Sequence, residues 1–331
     1  MQNIFKTTYR NFIRKPATNL INLVGLAVSL ALVIILSVYS YSELTTDNYH
    51  KNRDRLYLLG NSIGPMHMPA VLKVQIDMNI PEVESAVRLA DSWETPVFQV
   101  GEREPITSDL VFADADFFKL FDYHATEGNL ENALKDPLTI VLTKPLAEKL
   151  FGKEQALGKT VKMNNDKELT VSAVIDELHA NTCLKFSAIT SVATRKIVEP
   201  NGEEFTDWGW CNFHLLILLK SGTNPVETVK KIAALFPKKQ ENQQDYSQLK
   251  LNSFEKVYFS KLSPFGSDYL RSGDKKKIMI LLIVASLVLV IALVNFINIS
   301  SFSNIFSKFW NIVFNCSSYY VVQYCQVTFF Q

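Results

Sequence analysis

The sequence is poor in the residues that most often build catalytic and metal-binding sites. Its 331 residues include only four cysteines and five histidines. The histidines stand apart from one another, no HExxH or paired-cysteine spacing is present, and there is no Gly-x-Ser-x-Gly turn. These absences argue against a zinc enzyme and a serine hydrolase, so we expect neither catalytic residues nor a cofactor.

A fold that is held together mainly by disulfide bonds is excluded as well, because four cysteines are too few for a chain of this length. Cys183 and Cys211 lie in the same predicted domain, and a bridge between them would need an oxidising compartment. Two buried free thiols are the alternative, since cysteine is among the most often buried residues.

An excess of charge of one sign is also missing. The chain has 34 lysines and arginines against 33 aspartates and glutamates, a net charge of +1. Its composition therefore gives no reason to expect nucleic acid as a partner. The mean hydropathy of +0.06 is that of an ordinary soluble protein, but this average conceals two long apolar stretches, and the local pattern decides the class.

The apolar stretches are long enough to cross a membrane. Residues 20–41, LINLVGLAVSLALVIILSVYSY, and residues 278–299 contain no charged residue. A helix of about 22 residues reaches about 33 Å, and the hydrocarbon core of a bilayer is about 30 Å thick. We predict transmembrane helices at residues 20–42 and 278–299, bracketing an extracytoplasmic domain at residues 43–274. A cleaved signal peptide is the alternative for the first stretch, but its apolar region would be only about 7–15 residues long.

The segment before the first span is basic. Residues 1–19 contain no acidic residue and four basic ones, Lys6, Arg10, Arg14 and Lys15. With a helical period, most of these fall on one face and aromatic residues on another, which predicts an amphipathic helix on the membrane surface. Basic residues before the first span set the orientation, place the N-terminus in the cytoplasm and contact anionic lipid. The lysines at 275–277 oppose this orientation, but the first helix usually determines it.

Small residues in the first span predict contact with another helix. Gly25 and Ser29 are four residues apart, and pairs of small residues at this spacing let two helices approach closely. We therefore take Gly25 and Ser29 as candidates for packing against a neighbouring span.

The polar region alternates between strand-like and helix-like segments. Apolar patterns and turn residues predict strands at residues 56–59, 160–163, 169–174, 214–219 and 251–260. Apolar spacing and capping residues predict helices at residues 69–77, 81–89, 144–151 and 225–235, with a short helix after Asp116. The prediction is an α+β domain with two lobes of short helices and mixed or antiparallel strands.

The segment GKEQALGKT at residues 152–160 is similar to a phosphate-binding P-loop but fails on spacing and context. A P-loop has four residues between its glycines, so that successive N–H groups close on the phosphates, and here five intervene. A predicted helix precedes the segment and a predicted strand follows it, which is the reverse of the required order. We interpret it as a turn between a helix and a hairpin.

Several stretches taken together resemble the N-terminal half of MacB/FtsX-like ABC-transporter permeases. The resemblance is carried by YRNFIRKPATNLINLVGLAVSLA at 9–31, DNYHKNRDRLYLL at 47–59 and FADADFFKLFDYHATEGNLENALKDPLTIVLTKPLAEKLFG at 112–152. It continues with GKTVKMNN at 158–165, LTVSAVIDEL at 169–178 and NTCLKFSAI at 181–189. LVLVIALVNFINIS at 287–300 resembles the second span of the family.

The resemblance implies a mechanical function in a bacterial inner membrane. In this family a separate ABC ATPase dimerises on ATP in the cytoplasm. Two copies of the permease relay that motion to periplasmic domains, which drive efflux, release lipoproteins or control a partner. The permease itself hydrolyses nothing. The implied partners are an ABC ATPase subunit, a second permease copy, membrane lipid and a periplasmic or outer-membrane protein.

Residues 300–331 depart from the family pattern. The family continues with a charged cytoplasmic helix that docks on the ATPase, whereas this segment has one charged residue, Lys308, and many aromatic ones. The abrupt change of composition indicates a truncated or frameshifted gene, and a divergent tail on the membrane is the alternative. The corresponding alternative function is a membrane-tethered periplasmic binding or sensor module without ATPase coupling.

The predicted topology can be tested by labelling. With the native cysteines replaced by serine, Ser42→Cys and Asp274→Cys should react with a membrane-impermeant maleimide added outside intact cells, because both positions flank the extracytoplasmic domain. The labelled fraction is measured by a mass shift on a gel, and Lys15→Cys, which should react only after lysis, is the control. Failure of both outer positions to react would contradict the predicted topology.

Overall fold

The computed structural model describes residues 16–200, 203–237, 246, 248–260 and 269–297. Its contacts divide the chain into two compact units. One unit contains the two long apolar helices, which come from opposite ends of the chain. The other is the domain Thr45–Asp274, formed by the uninterrupted segment between them.

The described residues form eight α-helices and thirteen strands. The helices are α1 (Pro16–Leu44), α2 (Ala70–Asn79), α3 (Phe117–Leu120), α4 (Lys144–Phe151), α5 (Val192–Val198), α6 (Pro225–Ala233), α7 (Phe254–Val257) and α8 (Lys275–Ile297). The strands are β1 (Leu56–Gly60), β2 (Met68–Pro69), β3 (Val83–Asp91), β4 (Val97–Gln99), β5 (Ile106–Thr107), β6 (Leu110–Ala113), β7 (Ala125–Gly128), β8 (Thr139–Thr143), β9 (Thr160–Met163), β10 (Lys167–Ile175), β11 (Ala188–Ser191), β12 (Cys211–Leu219) and β13 (Lys250–Ser253).

The first unit is an antiparallel pair of helices, α1 and α8, whose mean hydropathies reach 2.5 and 3.1. Both are long and apolar enough to cross a membrane. Gly25, near the start of α1, lies beside Asn295, near the end of α8. The less exposed residues recur every three or four positions, which defines one contact face on each helix. They are Leu26, Ser29, Val33 and Leu36 on α1, and Leu281, Ala285, Val288, Ala292 and Asn295 on α8.

All thirteen strands of the domain join one sheet. Its main path has the order β13-β1-β12-β3-β6-β11-β8-β10-β9-β4-β5, while β2 pairs with β12 and β7 with β10. Most neighbours are antiparallel, but β11 runs parallel to β6 and β10 runs parallel to β8. Buried apolar side chains of the central strands form the core. The protein is therefore an α+β domain bracketed by two apolar helices, as the sequence predicts.

Several local predictions are confirmed. The strands predicted at residues 56–59, 160–163, 169–174 and 214–219 fall within β1, β9, β10 and β12. β9 and β10 form an antiparallel hairpin, and Asn164 and Asn165 adopt the positive φ values, 52° and 60°, that its tight turn needs. Helix α4 begins after Thr143, has Pro145 in its first turn and ends at Gly152.

Two predictions of secondary structure are wrong. The helix predicted at residues 81–89 is strand β3, which lies between β12 and β6. Because both faces of β3 are buried in its second half, its apolar residues do not alternate and their spacing imitates that of a helix. The strand predicted at residues 251–260 ends at Ser253, where α7 begins. Asp116 stands at the N-cap of α3, but its side chain makes no capping hydrogen bond.

The core contains an ion pair between Arg195 and Glu204, whose side chains are 1% and 0% exposed. Arg195 Nη2 and Nε donate to the two carboxylate oxygens at 3.1 and 3.2 Å, and Nη1 donates to the carbonyl oxygen of Asp91. The rings of Phe112 and Phe213 lie 5.2 and 5.4 Å from the guanidinium group. Because both charges are removed from water, each depends on the other for compensation.

Breaking this pair should destabilise the domain strongly. Arg195→Met leaves the Glu204 carboxylate buried without its cation, so we expect the free energy of unfolding in urea to fall by about 3–5 kcal/mol. Lys149→Met, at an exposed position of α4, is the control and should change it by less than about 0.5 kcal/mol. A double variant that adds Glu204→Met should recover part of the loss. Strictly additive losses would contradict the pairing.

Candidate functional site

The points at which the chain enters and leaves the domain are held by one short segment. The incoming arm is residues 45–50, the outgoing arm is residues 269–273, and the anchor segment is residues 180–185. Hydrogen bonds from both arms converge on the anchor segment. The anchor segment leads within three residues into β11, a central strand of the sheet.

Asp47 attaches the incoming arm to the anchor segment. Its carboxylate accepts hydrogen bonds from the Thr182 hydroxyl at 2.7 Å and from the Cys183 N–H at 3.0 and 3.2 Å. The Asp47 N–H donates to the Asn181 carbonyl at 3.0 Å. Burial raises the pKa of Asp47, although these hydrogen bonds and the nearby Arg271 oppose the shift. Asp47 has a φ of 58°, a conformation that aspartate tolerates better than most residues.

Arg271 attaches the outgoing arm to the same segment. Its backbone N–H donates to the Cys183 carbonyl at 2.8 Å. Its Nη1 donates to the carbonyl oxygens of Ala180 and Thr182 at 2.7 and 3.3 Å. A single residue of the arm therefore binds three carbonyl groups of the anchor segment.

Cys183 binds both arms through its own backbone. Its N–H donates to Asp47 of the incoming arm, and its carbonyl accepts from Arg271 of the outgoing arm. The thiol is buried, and burial raises its pKa well above the ordinary value, so the thiol stays protonated. Cys183 and Cys211 are both free cysteines, so the disulfide considered from the sequence is not formed.

The outgoing arm also reaches the sheet through Tyr269. The Tyr269 carbonyl accepts a hydrogen bond from the Lys185 N–H at 2.8 Å. The Tyr269 hydroxyl donates to the Leu89 carbonyl at 3.2 Å and lies 2.6 Å from Nδ1 of His214. His214 is buried, and burial lowers its pKa well below the ordinary value, so its ring is neutral. These bonds connect the arm directly to β3 and β12.

The end of the outgoing arm passes tightly against Tyr258. The Gly273 N–H donates to the Tyr258 carbonyl at 2.7 Å. A Cβ atom at position 273 would lie 2.3 Å from a ring carbon of Tyr258, so only glycine fits there without moving the ring. Leu270 and Leu184 form an antiparallel bridge further back along the arm. The arm is thus held along its whole length.

His50 holds the other end of the incoming arm. Its Nδ1 accepts a hydrogen bond from the Asp122 N–H at 3.1 Å, and the adjacent Lys51 N–H donates to the Asp122 carboxylate at 2.6 Å. His50 is buried, and burial lowers its pKa to about 4. The ring is therefore neutral at neutral pH and can accept this hydrogen bond.

The family of the chain follows from its sequence. A sequence profile of the MacB-like periplasmic core domain matches residues 20–235, which is well over half of the chain and includes the incoming arm and the anchor segment. The chain belongs to the MacB-like periplasmic core domain family. No curated protein sequence matches the chain.

Three solved structures from bacterial transport proteins align with the chain. A domain described as part of a permease protein from Porphyromonas gingivalis is 18% identical, with a TM-score of 0.51, and is aligned over 70% of this chain and 99% of its own. The periplasmic region of MacB from Actinobacillus actinomycetemcomitans is 14% identical, with a TM-score of 0.43 and coverage of 55% and 82%. The extracellular domain of the noncanonic ABC-type transporter YknZ from Gram-positive bacteria is 16% identical, with a TM-score of 0.44 and coverage of 59% and 98%. The fold likeness rests on the first of these.

The resemblance of the sequence to MacB/FtsX-like permeases is therefore confirmed. This family consists of transporter permeases of the inner membrane with a periplasmic domain, and membership implies an ABC ATPase partner and dimerisation. Two of the motifs that carry the resemblance, at residues 47–59 and 181–189, contain most of the incoming arm and of the anchor segment. The fold joins these two motifs through Asp47 and Cys183.

The residues predicted to contact lipid or a neighbouring span lie outside this site. The basic residues are beyond the part of the chain that the structure describes: Lys6, Arg10, Arg14 and Lys15. Ser29 is half-buried on the face of α1 that meets α8, and a Cβ atom added to Gly25 would lie 3.8 Å from Asn295 Nδ2. Their roles in orientation and packing stay predictions.

The segment that is similar to a P-loop is a closed turn between α4 and β9, as we interpreted it. The N–H groups of Ala156 and Leu157 donate to the Glu127 carboxylate at 3.0 and 2.8 Å. A carboxylate thus occupies the donors that a phosphate would need. In the described ranges no group of three or more His, Cys, Asp or Glu residues could hold a metal ion.

Sequence reasoning missed the residues that join the arms. Asp47 and Cys183 stand in motifs of the family resemblance, and this is the signal that could have found them. Arg271 and Gly273 stand in no recognised motif. Asp47 and Cys183 are more than 80 residues apart in the chain, and so are Cys183 and Arg271. No local sequence pattern therefore links these three residues.

Removing the Asp47 carboxylate should loosen the incoming arm. Asp47→Ala leaves the buried donors of Thr182 and Cys183 without an acceptor and puts alanine at a positive φ, so we expect a loss of about 2–4 kcal/mol in stability. Hydrogen exchange at the Cys183 amide should accelerate more than exchange in β10. Asp47→Asn keeps a carbonyl oxygen and tolerates the φ, so its effect should be smaller. Unchanged protection of the Cys183 amide in Asp47→Ala would disprove the role.

Proposed function

We propose that this chain is the permease subunit of an ABC transporter of the efflux, lipoprotein-release or mechanotransmission type. It relays the ATP-driven motion of a partner ATPase to its periplasmic domain and catalyses no reaction itself. Family membership supports the proposal, and one observation carries it. The backbone of Cys183 is hydrogen-bonded to both arms of the domain.

A relay of motion needs stiff attachments, and both arms have them. The bonds of Asp47 and Arg271 are charge-assisted, and the Asp47 bonds are buried, where water cannot compete for the same groups. The anchor segment leads into β11, which pairs with β6 on one side and β8 on the other. A displacement of either arm would therefore act on the middle of the sheet rather than on a loose edge.

The membrane arrangement is part of the proposal. The spans are residues 20–42 and 278–299, with the N-terminus in the cytoplasm and residues 43–274 in the periplasm. Gly25 and Ser29 serve helix packing, and the basic residues of the first 19 positions serve orientation and lipid contact: Lys6, Arg10, Arg14 and Lys15. The partners are an ABC ATPase, a second copy of the chain and a periplasmic or outer-membrane protein.

A second candidate function is a membrane-tethered periplasmic binding or sensor module without ATPase coupling. It is favoured by the composition of residues 300–331, which contain one charged residue where the family has a charged docking helix. The two functions differ in whether an ATPase binds to the chain.

Purification under conditions that trap nucleotide separates the two candidates. The chain with an N-terminal affinity tag is isolated from its host membranes in mild detergent with ATP and orthovanadate, and the bound nucleotide is located with a photoreactive ATP analogue. We expect a stoichiometric ATPase subunit and ATPase activity that vanadate inhibits. A chain that purifies without such a subunit would exclude the transporter proposal in favour of the tethered module.

Coupling is then measured on the purified complex. Gly273→Ala forces the Tyr258 ring to move and should change the ATP-dependent protease sensitivity of the periplasmic domain while leaving ATP binding intact. Ser272→Ala, at the adjacent exposed position, is the matched control. Identical behaviour of both variants would contradict transmission through the outgoing arm.

A further inference from the structure

A groove of about 430 Å³ lies beside the anchor segment. It sits at the carboxyl ends of the parallel strands β8 and β10, where Thr143 is in register with Ile175. The volume is in the range of small-molecule sites, which is about 300–1,000 Å³.

Thr143 is a polar residue whose side chain the fold leaves without a partner in this groove. It is 5% exposed, stands at the N-cap of α4 and lines the groove. An N-cap threonine normally accepts a hydrogen bond from the first turn of its helix. This one makes no capping bond, and its hydroxyl has no other partner within the described ranges. Thr143 has two hydrogen-bond donors, its backbone N–H and its hydroxyl. The N–H donates to the Ser187 carbonyl at 2.9 Å, so the hydroxyl is the donor that remains for a ligand.

Two cationic side chains line the same groove as this hydroxyl. Thr143 stands at the N-terminal end of α4, and the helix dipole makes that end partly positive. Lys185 and Arg271 also line the groove. Lys185 pairs with Asp109 at 3.0 Å but is largely exposed, and Arg271 uses Nη1 for the anchor carbonyls. Glu177 is the acidic residue among the lining residues.

We propose that this groove binds a phosphate group, presented by a lipid headgroup or by a soluble phosphate ester. A hydroxyl, the positive end of a helix dipole and two cations match an anion with several acceptor oxygens. The apolar lining residues Leu178, Leu184 and Phe186 would contact the organic part of the molecule. In the sequence Arg271 stands four residues before the start of α8, so both lipid and soluble sources need testing.

The proposal is independent of ATPase coupling, because the groove lies within the domain Thr45–Asp274. It is tested on the purified full chain with no ATPase present. The soluble arm measures binding of sn-glycerol 3-phosphate by calorimetry, with glycerol as the matched compound that lacks phosphate. The lipid arm places the chain in nanodiscs of digalactosyldiacylglycerol, a lipid without phosphate, and compares spin-labelled phosphatidic acid with the spin-labelled diacylglycerol.

Three variants identify the groove as the binding site. Thr143→Val removes the hydroxyl at nearly constant volume and should weaken binding about tenfold, whereas Thr143→Ser should restore it. Lys185→Gln should weaken binding to a similar extent. Glu177→Gln removes the opposing charge and should strengthen binding about two- to threefold. Lys162→Gln, an exposed lysine on β9, is the control and should have no effect.

The two arms distinguish the sources. Binding of glycerol 3-phosphate alone identifies a soluble phosphate ester, and binding of phosphatidic acid alone identifies a lipid headgroup. Binding of both shows that the phosphate group itself is recognised. The proposal is overturned if neither compound binds saturably, or if binding ignores both Lys185→Gln and Glu177→Gln, which lie at exposed positions where substitution leaves folding intact.

Discussion

The hydrogen bonds on the backbone of Cys183 are the constraint on which the arrangement of this domain depends. The N–H of Cys183 is bound by the arm that enters the domain and its carbonyl by the arm that leaves it. Both ends of the domain's chain are therefore fixed to one residue, which lies five positions before the central strand β11 begins. These bonds hold the two arms to the same segment of the domain.

The strength of the arrangement comes from burial. A buried carboxylate such as Asp47 loses its hydration, so its bonds to Thr182 and Cys183 must replace the water it gave up. The raised pKa of Asp47 reflects the same cost. The same compensation applies to Arg195 and Glu204, which are buried in the core. Each of these buried charges is tolerated because the other is present. In both cases the buried polar groups favour one arrangement of the chain, because few other arrangements give every buried group a hydrogen-bond partner.

The anchor segment also forms one wall of the groove beside Thr143. Ala180, Thr182 and Leu184 line the groove and belong to the residues that the arms contact. A ligand in the groove would therefore bear on the segment that joins the arms, and movement of the arms would alter the groove. The groove and the arms share their contacts because the loop after β10 forms both the anchor segment and one wall of the groove.

The sequence by itself determined the class of the protein. The two uncharged stretches predict long apolar helices, the Asn164–Asn165 turn predicts its hairpin, and the ordered motifs indicate the permease family, because each of these signals is local in the chain. Strand β3 shows where local reasoning fails, since its pairing with β12 and β6 overrides a helix-like spacing. The contacts of Asp47, Cys183 and Arg271, and the unpartnered hydroxyl of Thr143, were decided only by the tertiary structure. They depend on groups that lie far apart in sequence and that acquire their partners, or lose them, when the sheet assembles.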